Sequence, residues 1–131
     1  MRLLLDTHIW LWSQGAPAQL LPRIRTELAN PRNELWLSPL SIWEVLLLSE
    51  RKRIILDEPA ERWVMHALEN SPLREASLSY EVALETSNIK MEHRDPVDRF
   101  LAATARVFDL ILVTADKRLL NCKGFSKLAN Q

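Results

Sequence analysis

Four acidic residues lie directly after predicted strands or early in helices that begin near strand ends: Asp6, Glu44, Asp98 and Asp116. Asp6 ends the run Leu3–Leu5, a short continuous apolar segment of the kind that forms a buried strand in a parallel sheet. In open α/β sheets, ligands bind in the crevice beyond the carboxyl ends of the strands. We therefore expect the four carboxylates to converge on one crevice at that edge of the sheet.

Carboxylates gathered in one crevice repel one another, so some of them stay protonated unless a cation is present. Oxygen ligands without a cluster of His or Cys residues favour hard divalent cations such as Mg²⁺ or Mn²⁺. A carboxylate-bound pair of Mg²⁺ ions can orient and activate water on a phosphodiester. The sequence therefore predicts a metal site whose ligands and catalytic residues are the same four acids: Asp6, Glu44, Asp98 and Asp116.

Two of these acids also have a structural explanation. Asp6 could cap the first helix, although Thr7 could provide that cap instead. Glu44 could complete a capping box with Ser41. However, a proline follows Ser38, and this pair is typical of a helix start with Ser38 as the N-cap. That start places Glu44 in the second turn, where it has no capping role, and a metal or another cation would explain a carboxylate on this otherwise apolar helix.

The other two acids have comparable alternatives. The helix dipole alone favours an acid at Asp98, which lies in the first turn of a helix whose predicted N-cap is Asp95. Because Asp95 has that role, it is left out of the predicted site. Three alanines between positions 102 and 105 should let this helix approach the sheet closely and bring Asp98 beside Asp6. Asp116 could simply cap a short helix that begins at Lys117.

Apolar runs and turn residues predict strands that alternate with helices along the chain. The predicted strands are Arg2–Leu5, Glu34–Leu37, Leu73–Leu78, Leu110–Val113 and an edge strand near Phe125. The predicted helices are Thr7–Gln14, Leu20–Ala29, Leu40–Ser49, Glu58–Asn70, Tyr80–Ile89, Asp95–Val107 and Lys117–Leu120. This alternation indicates βαβ units and a parallel sheet. We expect one α/β domain over residues 1–131, with a central four- to five-stranded parallel sheet and flanking helices.

The composition indicates a folded domain without a general affinity for polyanions. Hydrophobic residues make up 47% of the 131 residues, which is enough for a substantial core, and 17 basic residues balance 17 acidic ones. A site for a polyanion must therefore be a local patch or must use metal for its positive charge. The chain has two glycines, which excludes the Gly-rich phosphate and dinucleotide loops.

The single cysteine, Cys122, excludes a disulfide framework and is compatible with a reducing compartment. It lies in a polar segment without a neighbouring His, which argues against a nucleophilic role. We find no signal peptide and no apolar run as long as a membrane span. We therefore expect a cytoplasmic protein that does not contact membranes.

Several residues near the acids have less specific signals. The histidines lack the spacing of metal ligands, and we expect His8, His66 and His93 to be surface or hydrogen-bonded loop residues. Four cations flank the acids and could contact phosphates or form salt bridges with those same acids: Arg94, Arg99, Lys117 and Arg118. Trp12 and the run Leu46–Leu48 are the candidates for a dimer or partner groove.

Four segments that contain the acids are spread over nearly the whole chain: Leu4–Trp10, Ser38–Glu44, His93–Ala105 and Leu112–Asp116. Together these segments resemble the PIN-domain family. Within that family, the chain is similar to the small VapC-type toxin ribonucleases of type II toxin–antitoxin systems.

The resemblance implies a PIN-like three-layer α/β/α fold and a metal-dependent endoribonuclease that uses Mg²⁺ or Mn²⁺ on an RNA substrate. The family's metal ligands map onto Asp6, Asp98 and Asp116, with Glu44 completing the cluster. The resemblance also implies a homodimer and a cognate antitoxin, which inserts a helix or an extended tail into an apolar groove beside the site.

Three other functions remain open at this point. The family includes nucleases that process RNA outside toxin systems. A phospho-aspartyl phosphatase also carries an Asp after its first strand, but it needs a second Asp two residues later, where this chain has His8. A non-catalytic module would bind RNA or protein without dependence on a metal.

Overall fold

The computed structural model describes residues 1–131. Its strands are β1 (Arg2–Leu5), β2 (Glu34–Leu37), β3 (Leu73–Glu75), β4 (Ile111–Thr114) and β5 (Ser126–Ala129). Its helices are α1 (Thr7–Gly15), α2 (Pro22–Ala29), α3 (Pro39–Glu50), α4 (Ala60–Glu69), α5 (Tyr80–Glu85), α6 (Pro96–Val107) and α7 (Lys117–Leu120). Short 3-10 turns follow α1 and α5, at Pro17–Gln19 and Thr86–Asn88. None of the helices combines the length and the apolar character that crossing a bilayer requires.

All five strands are parallel and lie in the order β3-β2-β1-β4-β5. The chain first builds outward from β1 to β2 and β3, and then returns past β1 to add β4 and β5 on the other side. The strand order therefore reverses between β1 and β4, which is the point at which open α/β sheets bind ligands. The predicted α/β class and the parallel sheet are confirmed, and β1 lies at the centre of that sheet.

Alternate residues of β1 enter two cores, one on each face of the sheet. Leu3 and Leu5 pack with Trp10 of α1 and with side chains from α2, α3 and α4. Leu4 packs instead with Leu101 of α6 and with α7. Each fully buried Leu stabilises the fold by roughly 1.5–3 kcal/mol. Burial on both faces explains why the strand is a continuous apolar run, and it makes the domain a three-layer α/β/α structure.

Several element boundaries differ from the prediction. β3 ends at Glu75 instead of Leu78, and α5 ends at Glu85, where a 3-10 turn replaces the expected last turn of helix. α2 begins at Pro22 instead of Leu20, because proline suits the first helical position and the preceding residues form their own 3-10 turn. These differences lie away from the strand ends that carry Asp6 and Asp116.

The alanines of α6 face two directions. Ala102 and Ala103 pack against α5 and the turn after it, with Val82. Ala105 packs with Leu101 in the core beneath the sheet, since residues four apart lie on the same face of a helix. The expectation that all three alanines bring α6 onto the sheet is therefore correct for Ala105 and wrong for the other two.

Candidate active site

A crevice of about 350 Å³ lies at the carboxyl ends of β1 and β4. Its lining includes all four predicted site residues, which come from separate segments of the chain: Asp6, Glu44, Asp98 and Asp116. The other lining residues are His8, Trp12, Asp95, Ala115 and Arg118. The structure thus brings the four acids to one crevice, at the reversal of strand order where the topology predicts a ligand site.

Asp6 is held in a fixed orientation at the end of β1. Its backbone N–H donates to the Val113 carbonyl at 3.0 Å, which continues the pairing of β1 with β4. The Thr114 hydroxyl donates to Oδ2 at 2.7 Å, and the Thr7 backbone N–H donates to Oδ1 at 2.8 Å. Asp6, and not Thr7, therefore occupies the N-cap position of α1. Burial raises the pKa of Asp6, and these two hydrogen bonds oppose the rise.

Glu44 reaches the crevice from the second turn of α3. The Ser38 hydroxyl accepts a hydrogen bond from the Leu40 backbone N–H at 3.1 Å, which confirms Ser38 as the N-cap and leaves Glu44 without a capping role. Three residues before Glu44, the Ser41 hydroxyl accepts a hydrogen bond from the Thr7 hydroxyl at 3.0 Å. This buried bond ties α3 to the start of α1 and so fixes where Glu44 enters the crevice.

Asp98 lies in the first turn of α6 and is only 6% exposed. Asp95 caps the same helix, as predicted: its Oδ1 accepts from the Val97 N–H at 3.0 Å and from the Asp98 N–H at 3.4 Å. The His93 Nε2 lies 3.0 Å from Asp98 Oδ2, within hydrogen-bond distance. Because the cap uses only one of its oxygens, Asp95 also faces the crevice, although its capping role was the reason to leave it out of the predicted site.

Crowding and burial change the acidity of these carboxyl groups. Burial raises the pKa of Asp98 to about 7; the nearby Asp95 carboxylate adds to the rise and the His93 contact opposes it. Burial also raises the pKa of Glu44, and the Asp6 carboxylate adds to that rise. Three of the four acids therefore favour the protonated form more than a solvated carboxyl does, as expected for carboxylates in one crevice.

Asp116 differs because Arg118 neutralises it. Asp116 caps α7: its Oδ1 accepts from the Arg118 backbone N–H at 2.8 Å. The guanidinium Nη2 lies 3.0 Å from Asp116 Oδ2, and this contact with Arg118 lowers the pKa of Asp116. The same nitrogen lies 3.6 Å from Asp98 Oδ2 and 4.0 Å from Asp95 Oδ2. Arg118 is therefore the counter-ion of three carboxylates at once.

Two other residues considered in the sequence have structural roles. Arg99 donates to the backbone carbonyls of Ile89 at 2.7 Å and Thr86 at 3.2 Å, so it joins α6 to the preceding segment instead of facing the crevice. The Cys122 thiol donates to the Arg118 carbonyl at 3.2 Å. Burial raises the pKa of the Cys122 thiol, which keeps it protonated and agrees with the expectation that it is not a nucleophile.

Comparison with known proteins identifies the family. A family model described as PIN domain matches residues 3–124. The chain belongs to the PIN domain family. Ribonuclease VapC22 of Mycobacterium tuberculosis is 31% identical to this PIN domain over 117 residues, which make up 88% of each chain.

Solved structures share the fold of this PIN domain at low sequence identity. A chain in the crystal structure of VapBC2 from Rickettsia felis, bound to a DNA fragment from its promoter, superposes with a TM-score of 0.74 at 14% identity. A chain in the DNA-bound VapBC structure from Salmonella typhimurium superposes with a TM-score of 0.70 at 17% identity. Each match covers 98% of both chains.

The crevice of this PIN domain offers oxygen donors of the type that Mg²⁺ and Mn²⁺ prefer. No group of three or more His, Cys, Asp or Glu side chains is arranged to hold a metal ion. The acids therefore line the same crevice without forming a coordination sphere. The Arg118 guanidinium supplies the positive charge instead and contacts both Asp98 and Asp116. The chemical type of the donors thus fits a divalent cation. Coordination requires the acids to rearrange and requires Asp98 and Asp116 to release Arg118.

Sequence reasoning did not assign His93, His8 or Asp95 to the site of this PIN domain. The expectation of a hydrogen-bonded loop histidine is correct for His93, but its partner is the buried Asp98. Its position five residues before Asp98, in the segment that leads into the same helix, is the signal that could have identified it. His66 lies away from the crevice, as expected.

Proposed function

We propose that this PIN domain is a metal-dependent endoribonuclease that acts in the cytoplasm as the toxin of a toxin–antitoxin pair. The observation that carries the proposal is that carboxylates from four separate segments share one crevice at the carboxyl edge of the sheet. Similarity to a protein named as a ribonuclease supports RNA as the substrate. The VapBC complexes among the similar structures support a toxin with an antitoxin partner.

In this proposal, Asp6, Asp98 and Asp116 hold Mg²⁺ or Mn²⁺, and Glu44 completes the cluster. When bound, the ion supplies the positive charge that stabilises the reacting phosphate and makes water a stronger nucleophile at neutral pH. The protein's own contribution is orientation. The Thr114 hydroxyl already fixes one oxygen of Asp6, so this carboxylate does not have to be ordered when substrate binds.

Cleavage of total cellular RNA tests the reaction. We expect the wild-type protein to cut RNA with Mg²⁺ or Mn²⁺ and to be inactive in EDTA, and sequencing of the fragment ends would map the cut sites. Cleavage that persists in EDTA would reject the metal mechanism. A wild-type protein that cuts no RNA with either metal would reject the ribonuclease proposal in favour of a binding module.

A groove beside the crevice suits the proposed antitoxin. Most of its lining is apolar: Leu11, Trp12, Ile54, Ile55, Leu56 and Trp63. Ile55 is 97% exposed, and Trp12 also lines the crevice, so a bound segment would reach the edge of the acidic site. We expect the product of a small reading frame beside the gene to co-purify with this protein. Cleavage of RNA without any such partner would favour a PIN nuclease of RNA processing.

We also propose that the protein is a homodimer. α3 exposes Trp43 and Leu46, and α5 exposes Tyr80 and Leu84. Of the predicted run Leu46–Leu48, Leu46 is 37% exposed and the other two are half-buried. Large exposed apolar areas mark interfaces.

Light scattering should give twice the 15.2 kDa chain mass, and separate Leu46→Glu and Leu84→Glu variants should show which helix forms the interface. A monomeric wild-type protein would contradict the proposal.

A further inference from the structure

A second cleft, of about 610 Å³, opens beside the acidic crevice. One wall is the segment that precedes α6, and the other is the end of α7 with the turn that follows it. The polar residues of its lining are Lys90, Glu92, His93, Arg118, Asn121 and Lys123. We call this the cationic cleft.

The cationic cleft has a positive excess in a protein with no net charge. Its lining has one carboxylate, that of Glu92, and three cations, which are Lys90, Arg118 and Lys123. Because Arg118 is paired with acids of the crevice, the positive excess comes from the two lysines. Lys90 and Lys123 are exposed and form no salt bridge. Two cations without a protein partner are available to a polyanion, and this cleft is therefore a local patch of the kind that a polyanion needs on a protein without net charge.

The cationic cleft and the acidic crevice are continuous. Arg118 lines both cavities. His93 lines the cationic cleft and contacts Asp98 of the crevice at 3.0 Å. A polymer bound in the cleft therefore extends to the crevice that the four acids line.

The flank of the crevice at His8 and Trp12 has different side chains. The apolar groove there presents Asp57 as its only acid and His8 as its only basic side chain. It has no Lys or Arg to receive phosphates, and its large side chains are apolar. A nucleic acid strand that reaches the acids therefore has its electrostatic contacts on the side of Lys90 and Lys123.

We propose that the cationic cleft holds the RNA backbone on one side of the scissile phosphate, with Lys90 and Lys123 each beside a phosphate. This inference rests on the proposed ribonuclease function. Lysine is a flexible point charge, so these contacts place the strand without reading its bases. Loops on a rigid scaffold commonly carry such binding residues.

Binding of RNA tests the cleft separately from the reaction. The probe is a fluorescein-labelled single-stranded RNA of random sequence, about 12 nucleotides long, with anisotropy measured in EDTA so that no cleavage occurs. The variant is Lys90→Ala with Lys123→Ala. The matched control is Arg32→Ala with Arg62→Ala, which removes two exposed cations that also form no salt bridge and lie outside the cleft.

The double lysine variant loses two phosphate contacts. The slope of its log RNA affinity against log salt concentration should therefore be smaller in magnitude by about 1.4, which corresponds to about 25-fold weaker RNA binding at 0.1 M salt. The control pair should bind within about twofold of wild type. Three results would each overturn the proposal that the cleft binds RNA. They are an equal loss of RNA affinity in the double lysine variant and the control, no loss in either variant, and no RNA binding by wild type at low salt.

Cleavage kinetics distinguish this inference from the proposed function. With Mg²⁺, the double variant Lys90→Ala with Lys123→Ala should have a higher KM and nearly the same kcat as wild type. The reason is that the lost contacts are the same in the ground and transition states. If the wild-type protein cleaves RNA and the double lysine variant has the same KM, the proposal that the cleft binds RNA is rejected and the proposed ribonuclease function stands. If only the double lysine variant loses RNA binding and the wild-type protein cleaves no RNA, the proposal that the cleft binds RNA is supported and the proposed ribonuclease function is rejected.

Poly-glutamate serves as the competing ligand. We expect RNA to bind the wild-type protein more tightly than poly-glutamate does at equal charge. Tighter binding of poly-glutamate, lost in the lysine pair, would assign the cleft to an acidic protein segment and overturn its assignment to RNA.

Discussion

The two flanks of the acidic crevice differ in the charge and the types of their side chains. On the side of Lys90 and Lys123, the cationic cleft is lined mostly by residues with polar or charged side chains, and two of these are unpaired lysines. On the side of Trp12 and Ile55, the groove is apolar and has no Lys or Arg. Each flank shares residues with the crevice: Arg118 on the cationic side, and His8 with Trp12 on the apolar side. The crevice thus adjoins two surfaces that suit two kinds of ligand.

In the proposed function, this difference separates the RNA substrate from the antitoxin. A polyanion gains affinity by releasing counterions, which depends on salt. A protein segment in the apolar groove gains affinity by removing apolar surface from water, at roughly 25 cal/mol per Å². Changes on one flank should therefore leave binding on the other unchanged, whereas changes to the acids should affect the reaction alone.

The largest expected effect is on the acids between the flanks. Asp6→Asn and Asp98→Asn should each lower RNA cleavage about a thousandfold or more, because each removes a charged ligand from the proposed metal site. RNA binding in EDTA should be retained, since the cationic cleft is intact. Glu69→Gln, which changes an exposed carboxylate on α4, is the control and should cut RNA like wild type. Loss of RNA binding in Asp98→Asn would show that the acids and the cleft are not separable.

A change on the apolar flank should affect the partner alone. Ile55→Glu places a charge in the groove and should weaken binding of the adjacent reading frame's product about 30-fold, the effect of losing one interface hot spot. RNA cleavage should stay at the wild-type rate, because Ile55 does not line the crevice. Co-purification gives the first measurement, and the RNA assay gives the second. Equal partner affinity in this variant would place the antitoxin elsewhere.

Arg118 belongs to both the crevice and the cationic cleft, and its removal should act on them in opposite directions. Arg118→Ala frees Asp98 and Asp116 from their counter-ion, so Mn²⁺ affinity should rise about fivefold. RNA affinity in EDTA should fall, because a cation leaves the cleft. Calorimetry and anisotropy measure the two effects, with Arg62→Ala as the control. Weaker Mn²⁺ binding in Arg118→Ala would contradict the role of Arg118 as a competitor of the metal.

The smallest effect concerns the stability of the metal-free protein. The pKa of Asp98 is about 7 in the fold, against about 3.9 for an unfolded Asp. The folded state therefore holds this proton more tightly, and the stability contributed by neutral Asp98 is lost as pH rises from about 4 to 7. Asn does not ionise, so Asp98→Asn should have a higher melting temperature than wild type near pH 8 in EDTA, with no difference near pH 4. A lower melting temperature of the variant near pH 8 would contradict the raised pKa.

Local signals were sufficient to predict the strand ends and the helix starts that carry the acids. Leu3–Leu5 is buried on both faces of the sheet, and such a strand must be continuously apolar. Ser38 and Asp95, each followed by proline, cap α3 and α6 through bonds to residues close in sequence. These features depend on neighbouring residues alone, so Glu44 and Asp98 could be placed in their helices before the structure was known.

The counter-ion and the histidine contact could not be predicted in the same way. By sequence, Arg118 is equivalent to Arg94 and Arg99, yet only its guanidinium faces three carboxylates, because α7 follows β4 at the point where α6 begins. The contact of His93 with Asp98 likewise depends on how the loop before α6 folds back over the helix start. Such relations arise from the packing of separate segments, which a single sequence does not specify.

Titration with Mn²⁺ by calorimetry, on the wild-type protein, Asp6→Asn and Glu69→Gln, tests most directly whether the acids form a metal site. We predict that wild type and Glu69→Gln bind Mn²⁺ with equal affinity and that Asp6→Asn binds at least about tenfold more weakly. Equal Mn²⁺ affinity in wild type and Asp6→Asn would contradict the account, because the metal would then bind without the carboxylate at the end of the central strand.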